Sequence, residues 1–123
     1  MKAPHDEHSP SDERKLIAST PKPPYYAVVF SSLRTGEDEA GYGQMATRMQ
    51  ELAAEQPGYL GIEPARGDDG LGITVSYWQD LQSIRAWRQH SEHQLAQQLG
   101  KSRWYAAYTL RIARVEAEVS TDE

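Results

Sequence analysis

Apolar residues cluster in four short stretches that predict β-strands. Residues 25–33 read YYAVVFSSL, residues 59–65 read YLGIEPA and residues 71–78 read LGITVSYW. β-Branched and aromatic side chains favour extended backbone, and period-2 alternation places them on one sheet face. The turn residues between the second and third stretches predict an antiparallel hairpin. A fourth strand of roughly 8–10 residues is predicted within residues 104–118, where apolar and polar side chains alternate again.

Two other stretches repeat their apolar residues at three- and four-residue steps, which predicts amphipathic helices. The first helix begins near Glu37 or Asp38 and ends at Pro57-Gly58. The second begins after Asp80, whose carboxylate can accept from the free N–H groups of a helix start, and ends at Gly100. The apolar positions of the second helix are Leu81, Ile84, Trp87, Ser91 and Leu95.

The element order is β-α-β-β-α-β, which predicts an α+β, ferredoxin-like domain. In this arrangement an antiparallel four-stranded sheet carries both helices on one face. The other face would present Val29 with Tyr77 or Trp78, and a bare apolar sheet face favours a homodimer that stacks sheet on sheet. The domain is expected at residues 25–118, after a disordered tail at 1–24 and before a frayed end at 119–123.

Composition narrows the function classes. The net charge of -5 argues against nucleic acid and anionic membranes as partners. The chain has no cysteine, which excludes disulfides, thiolate nucleophiles and Cys-ligated metals. No apolar run is long enough for a membrane helix, and the N-terminus shows no apolar signal core. We therefore expect a cytoplasmic protein.

A family resemblance rests on the GYLG segment at residues 58–61, followed by Trp78, Ile84 and Trp87 at the strand-to-helix unit. This pattern resembles the antibiotic biosynthesis monooxygenase (ABM) domain family of dimeric α+β barrels. The resemblance implies a homodimer whose two sheets form a barrel, with a cleft between sheet and helices in each subunit. Members of the family include cofactor-independent oxygenases of polycyclic phenols and heme-degrading enzymes.

The heme-degrading members have an asparagine on the first strand, a tryptophan on the second helix and a histidine about three turns later. Trp87 matches the tryptophan, but residues 30–32 are Phe-Ser-Ser and the later position is Gln97. Of the two nearby histidines, His93 would ligate iron only in a shifted helix. We therefore expect no cofactor, with heme as the alternative.

The leading hypothesis is a cofactor-independent monooxygenase acting on a small aromatic compound, phenolic or quinone-like. Such an enzyme must desolvate the substrate, accept its proton and stabilise the anion that reacts with oxygen. We predict His90 and Trp87 as catalytic residues, with Arg66 as a further polar group. The predicted substrate-binding residues are Tyr59, Tyr77, Trp78, His93 and Tyr108. A non-catalytic dimer that binds a small molecule is the third possibility.

Two of these residues also have plain structural interpretations. Trp87 either packs on the core or faces the cleft, and the partner of its indole N–H distinguishes the two. His90 is either a base near the cleft or a histidine bonded to a backbone carbonyl. His90 and His93 could share a metal, but no third ligand is evident, so no metal site is predicted.

Overall fold

The computed structural model describes residues 16–97 and 104–121, with the side chains of the second helix described as far as Glu92. Its elements, in chain order, are β1 (Tyr25–Arg34), α1 (Glu39–Ala54), β2 (Tyr59–Arg66), β3 (Leu71–Trp78), α2 (Leu81–Gln97) and β4 (Tyr105–Val115). The predicted ferredoxin-like order β-α-β-β-α-β is confirmed. No helix in the described ranges is long and apolar enough to cross a membrane.

The four strands form one antiparallel sheet in the order β2-β3-β1-β4. In this register Phe30 lies between Thr74 of β3 and Leu110 of β4. Since side chains alternate between faces, Val28, Phe30 and Ser32 point to the same side of the sheet. This helix-bearing face meets α1 and α2, while the outer face carries neither helix.

The core lies between the helix-bearing face and the two helices. One cluster joins Val28, Ala53, Trp78 and Ile84, and Trp78 is 0% exposed. The Trp78 indole N–H donates to the hydroxyl of Ser76 at 2.8 Å, so its one polar group is satisfied. The alternative that left Trp78 on the outer face is therefore wrong: Trp78 is in the core and its neighbour Tyr77 lies outside.

The close approach of the turn between α1 and β2 to the start of α2 depends on Gly58. Its φ of +85° is a conformation that side chains disfavour, and a Cβ there would lie 2.0 Å from the Ser83 hydroxyl. The Gly58 carbonyl also accepts from the N–H of Gln79 at 2.9 Å. As predicted, Asp80 begins α2, because its carboxylate accepts from the N–H of Ser83 at 2.7 Å.

A short segment before β1 lies against the outer face of the sheet. The N–H of Ala18 donates to Glu63 of β2 at 2.9 Å, and the hydroxyl of Tyr77 donates to the same carboxylate at 2.6 Å. A Cβ on Gly61 would come within 2.7 Å of the Ala18 side chain, so the second glycine of the GYLG segment leaves room for this crossing.

The same segment is also held near the end of the chain. Glu118 accepts from the hydroxyl of Thr20 at 2.6 Å and from that of Tyr25 at 2.5 Å. Glu63 of β2 and Glu118 beyond β4 thus supply hydrogen-bond partners for the polar groups of this segment. The remainder of the predicted tail, residues 1–15, lies outside the described residues.

Candidate functional site

A cavity of about 510 Å³ lies between the helix-bearing face of the sheet and the two helices. All four strands and both helices contribute to its lining. Its size falls within the range of small-molecule sites, and its lining is mainly apolar and aromatic, as such sites usually are. Its larger side chains include Phe30, Met45, Met49, Trp87, Tyr105 and Tyr108.

Trp87 of α2 both packs on the core and lines the cavity. Its ring stacks on that of Trp78, with centroids 6.0 Å apart and an angle of 23° between the planes. The ring of Tyr59 meets the ring of Trp78 edge-on, with the two centroids 5.6 Å apart. The two interpretations of Trp87 are thus compatible, since one face of the indole is supported while the side chain still reaches the cavity.

His90 packs against Trp87 with ring centroids 5.7 Å apart, and it is not among the residues that line the cavity. Its Nε2 atom is buried and has no hydrogen-bond partner within the described parts of the chain. The polar groups that α2 does present to the cavity come from Arg88, Ser91 and Glu92. The predicted bond from His90 to a backbone carbonyl is not seen at Nε2.

The other predicted substrate-binding residues are divided between three locations. Tyr108 lines the cavity beside Phe30, with ring centroids 5.5 Å apart. Tyr59 and Trp78 lie behind Trp87, and neither belongs to the lining. Tyr77 is on the outer face, where burial and its hydrogen bond to Glu63 raise its pKa. The His93 and Gln97 side chains lie outside those that the structure describes.

A cluster at one end of the cavity was only partly foreseen, because the sequence drew attention to Arg66 alone. The Arg66 guanidinium lines the cavity and donates to the Tyr42 hydroxyl at 3.2 Å. The Arg34 guanidinium lies 3.9 Å from the centroid of the same ring and pairs with Glu39. The sequence indicates this cluster only weakly. Each arginine is the last residue of a strand, and Tyr42 is one of several apolar positions along α1.

Tyr105 completes this end of the cavity. Its ring meets that of Tyr42 edge-on, with centroids 5.8 Å apart. Burial raises the pKa of Tyr105, and the neighbouring Tyr42 raises it further, while the charges of Arg34 and Arg66 oppose the rise. The hydroxyl therefore stays protonated at neutral pH and can donate a hydrogen bond.

Among the side chains that the structure describes, no three His, Cys, Asp or Glu residues lie close enough together to bind one metal ion. What the cavity does combine is aromatic walls, one carboxylate from Glu92, and guanidinium and hydroxyl groups that include those of Arg66 and Tyr105. Such a site can desolvate a ring-shaped compound and hold an oxygen atom that carries negative charge.

The fold is α+β, with a cavity between the sheet and the helices. Residues 24–99 match the family model described as Antibiotic biosynthesis monooxygenase (ABM), and the chain belongs to this family. The predicted resemblance is therefore confirmed.

Two relatives and one solved structure show the range of the similarity. The chain is 52% identical over 103 residues to the uncharacterized protein YqjZ of Bacillus subtilis (strain 168), covering 84% of this chain and 90% of that protein. It is 33% identical over 102 residues to Jasmonate monooxygenase ABM of Pyricularia oryzae, covering 80% of this chain and 46% of that protein. The fold matches SnoaB, a cofactor-independent oxygenase from Streptomyces nogalater, with a TM-score of 0.60 and 18% identity over 82% of this chain and all 100% of SnoaB.

Proposed function

We propose that this protein is a cofactor-independent monooxygenase that acts on a small phenolic or quinone-like compound bound in the cavity. The observation that carries the proposal is the cavity of about 510 Å³ with Trp87 and Tyr108 in its lining. One relative and one protein of similar fold support it by what their names say, the first a jasmonate monooxygenase and the second a cofactor-independent oxygenase.

The reaction needs only the substrate and molecular oxygen. A phenol or anthrone loses a proton, and the resulting anion transfers an electron to oxygen and then combines with it. One oxygen atom ends as a carbonyl on the ring carbon, and the other leaves as water with two hydrogens. In an anthrone both hydrogens come from that carbon, whereas in a phenol one comes from the carbon and the other is the hydroxyl proton. Aromatic walls favour this course, because they exclude bulk water from the reactive anion.

Two groups of α2 are candidates for accepting the proton. The buried Nε2 of His90 lies against Trp87 and lacks a partner among the described residues. The Glu92 side chain lines the cavity. The test is oxygen uptake with a panel of hydroxyquinols and anthrones, comparing the wild type with His90→Gln and Glu92→Gln. The variant that lacks the base should lose about 10²–10⁴-fold in rate.

Gln89→Ala is the matched control, since this residue lies on the same helix outside the cavity lining. It should turn over substrate like the wild type. If no compound in the panel is consumed above the buffer rate, the protein is not a monooxygenase of this substrate class. If both His90→Gln and Glu92→Gln keep the full rate, α2 does not supply the base.

We further infer that the protein acts as a homodimer, and ABM proteins are typically dimeric. The outer face of the sheet exposes a contiguous group of large apolar side chains, namely Leu33 at 43%, Leu71 at 44% and Ile73 at 39%. Burying such a face in a symmetric interface stabilises it. Sedimentation equilibrium should give twice the monomer mass of 13.9 kDa, and Ile73→Lys should shift the mass to the monomer.

A further inference from the structure

Two guanidinium groups flank the ring of Tyr42 at one end of the cavity. The Arg34 carbon Cζ lies 3.9 Å from the ring centroid, and that of Arg66 lies 4.8 Å from it. The Arg66 group also donates to the Tyr42 hydroxyl at 3.2 Å. The phenol ring therefore holds both cations in place by cation–π contacts and one hydrogen bond.

The two arginines differ in how their charge is balanced. The Arg34 side chain is only 7% exposed and pairs with the carboxylate of Glu39. The Arg66 side chain contacts Tyr42, and no carboxylate of the described residues forms an ion pair with it. Since a guanidinium has five N–H donors and Tyr42 uses one, Arg66 retains donors for a ligand.

The distribution of charge along the cavity favours an anion at this end. Among the described lining residues the only carboxylate is that of Glu92, which comes from α2 together with Arg88. The end formed by Arg66 and Tyr105 has no carboxylate in its lining. Between these groups the lining is mainly apolar, with Phe30, Ile62 and Leu110 from three different strands.

We propose that Arg66, together with the hydroxyl of Tyr42, forms an anion subsite that selects substrates bearing a carboxylate on a small aromatic skeleton. Arg66 is exposed enough to meet a ligand. A guanidinium matches a carboxylate through two parallel hydrogen bonds, and such charge-assisted bonds are stronger than those between neutral groups. The aromatic skeleton would lie along the apolar walls toward Trp87. This inference rests on the proposed function, because it names the substrate class of the same cavity.

The test is isothermal titration calorimetry of the full chain at pH 7.5 with 2-naphthoate and with its neutral isostere 2-naphthamide. The wild type should bind the acid about 10- to 100-fold more tightly than the amide. Arg66→Gln should remove this preference and leave the affinity for the amide unchanged. Tyr42→Phe should reduce the preference by a smaller factor, because it takes away one hydrogen bond that orients Arg66.

Three further variants keep the test decisive. Arg85→Gln removes an exposed arginine of α2 outside the cavity lining and should behave as the wild type. Arg66→Lys preserves the charge without the paired donors, and it should retain an intermediate preference even where Arg66→Gln folds poorly. Arg88→Gln removes the other lining arginine and should keep the preference for the acid.

The proposal is overturned if the wild type binds acid and amide equally or binds neither at millimolar concentration. It is also overturned if Arg66→Gln keeps the preference, or if Arg88→Gln abolishes it. These measurements require no turnover. An absence of oxygen uptake combined with a strong preference for the acid would therefore reject the monooxygenase and leave the anion subsite standing.

Discussion

The indole of Trp87 stacks on that of Trp78 with ring centroids 6.0 Å apart, and only Trp87 reaches the cavity. Trp78 is 0% exposed and uses its indole N–H in a hydrogen bond to Ser76. The pair therefore joins the core to the candidate site: the inner ring is fixed by packing, and it supports the outer ring that a ligand would touch.

Substitution of Trp78 should mainly affect stability, and substitution of Trp87 should mainly affect ligand binding. Trp78→Phe should lower the free energy of unfolding by about 2–3 kcal/mol, because it shrinks a fully buried ring and leaves the Ser76 hydroxyl unpaired. Trp87→Phe should lower it by only about 1 kcal/mol, yet reduce the affinity for an aromatic ligand. Urea unfolding and calorimetric titration measure the two effects. Equal losses of stability in both variants would contradict this division.

Gly58→Ala should destabilise the protein by about 1–3 kcal/mol. The residue has a φ of +85°, and an added Cβ would lie 2.0 Å from the Ser83 hydroxyl in the first turn of α2. Gly43→Ala is the matched control, since a Cβ there meets no atom within 4 Å. That variant should gain about 0.5–1 kcal/mol, as expected for replacing glycine in a helix. A melting temperature for Gly58→Ala at or above the wild-type value would refute the assigned strain.

Stability should fall at alkaline pH, partly through Tyr77. Burial and the hydrogen bond to Glu63 raise the pKa of Tyr77 above its usual value. The folded state therefore keeps a proton that the unfolded state releases above about pH 10, so the contribution is present below that pH and lost above it. In thermal melts, the melting temperature of Tyr77→Phe should fall less steeply with rising alkaline pH than that of the wild type.

The loss of stability at acidic pH should depend partly on Asp80. A hydrogen bond from the backbone N–H of Ser83 holds the pKa of Asp80 below its usual value. Its contribution is thus present above about pH 4 and lost as the pH falls through the lowered pKa. Asp80→Ala should melt at a lower temperature than the wild type at pH 7, and the gap should narrow toward pH 2.

The fold was predictable because side-chain periodicity determines which faces meet. Alternation in residues 25–33 and 71–78 identifies strands, and the steps from Ile84 to Trp87 identify a helix face that packs on the sheet. The capping carboxylate of Asp80 could be read in the same way, since helix starts depend on residues only three apart.

Much of the candidate site could not be predicted, because it depends on contacts between distant elements. Arg34, Tyr42 and Arg66 come from three elements, and nothing local indicates that two cations share one ring. His90 shows the limit of helical periodicity. Successive residues advance by about 100° around a helix, so a residue three positions from Trp87 points about 60° away from it. The lining residues Arg88, Ser91 and Glu92 all lie on the other side of Trp87 around the helix, so His90 packs beside the indole instead of joining it in the lining.

The segment that crosses Gly61 has a practical consequence for how this protein is produced. Ala18 is tied by a hydrogen bond to Glu63 on the outer face, which is also the face inferred to meet a second copy, and Thr20 is tied to Glu118 beyond β4. An affinity tag or a trimmed start placed just ahead of β1 would therefore alter the surface on which assembly depends. Recombinant versions that differ only in the residues just ahead of β1 should therefore differ in their oligomeric state in solution.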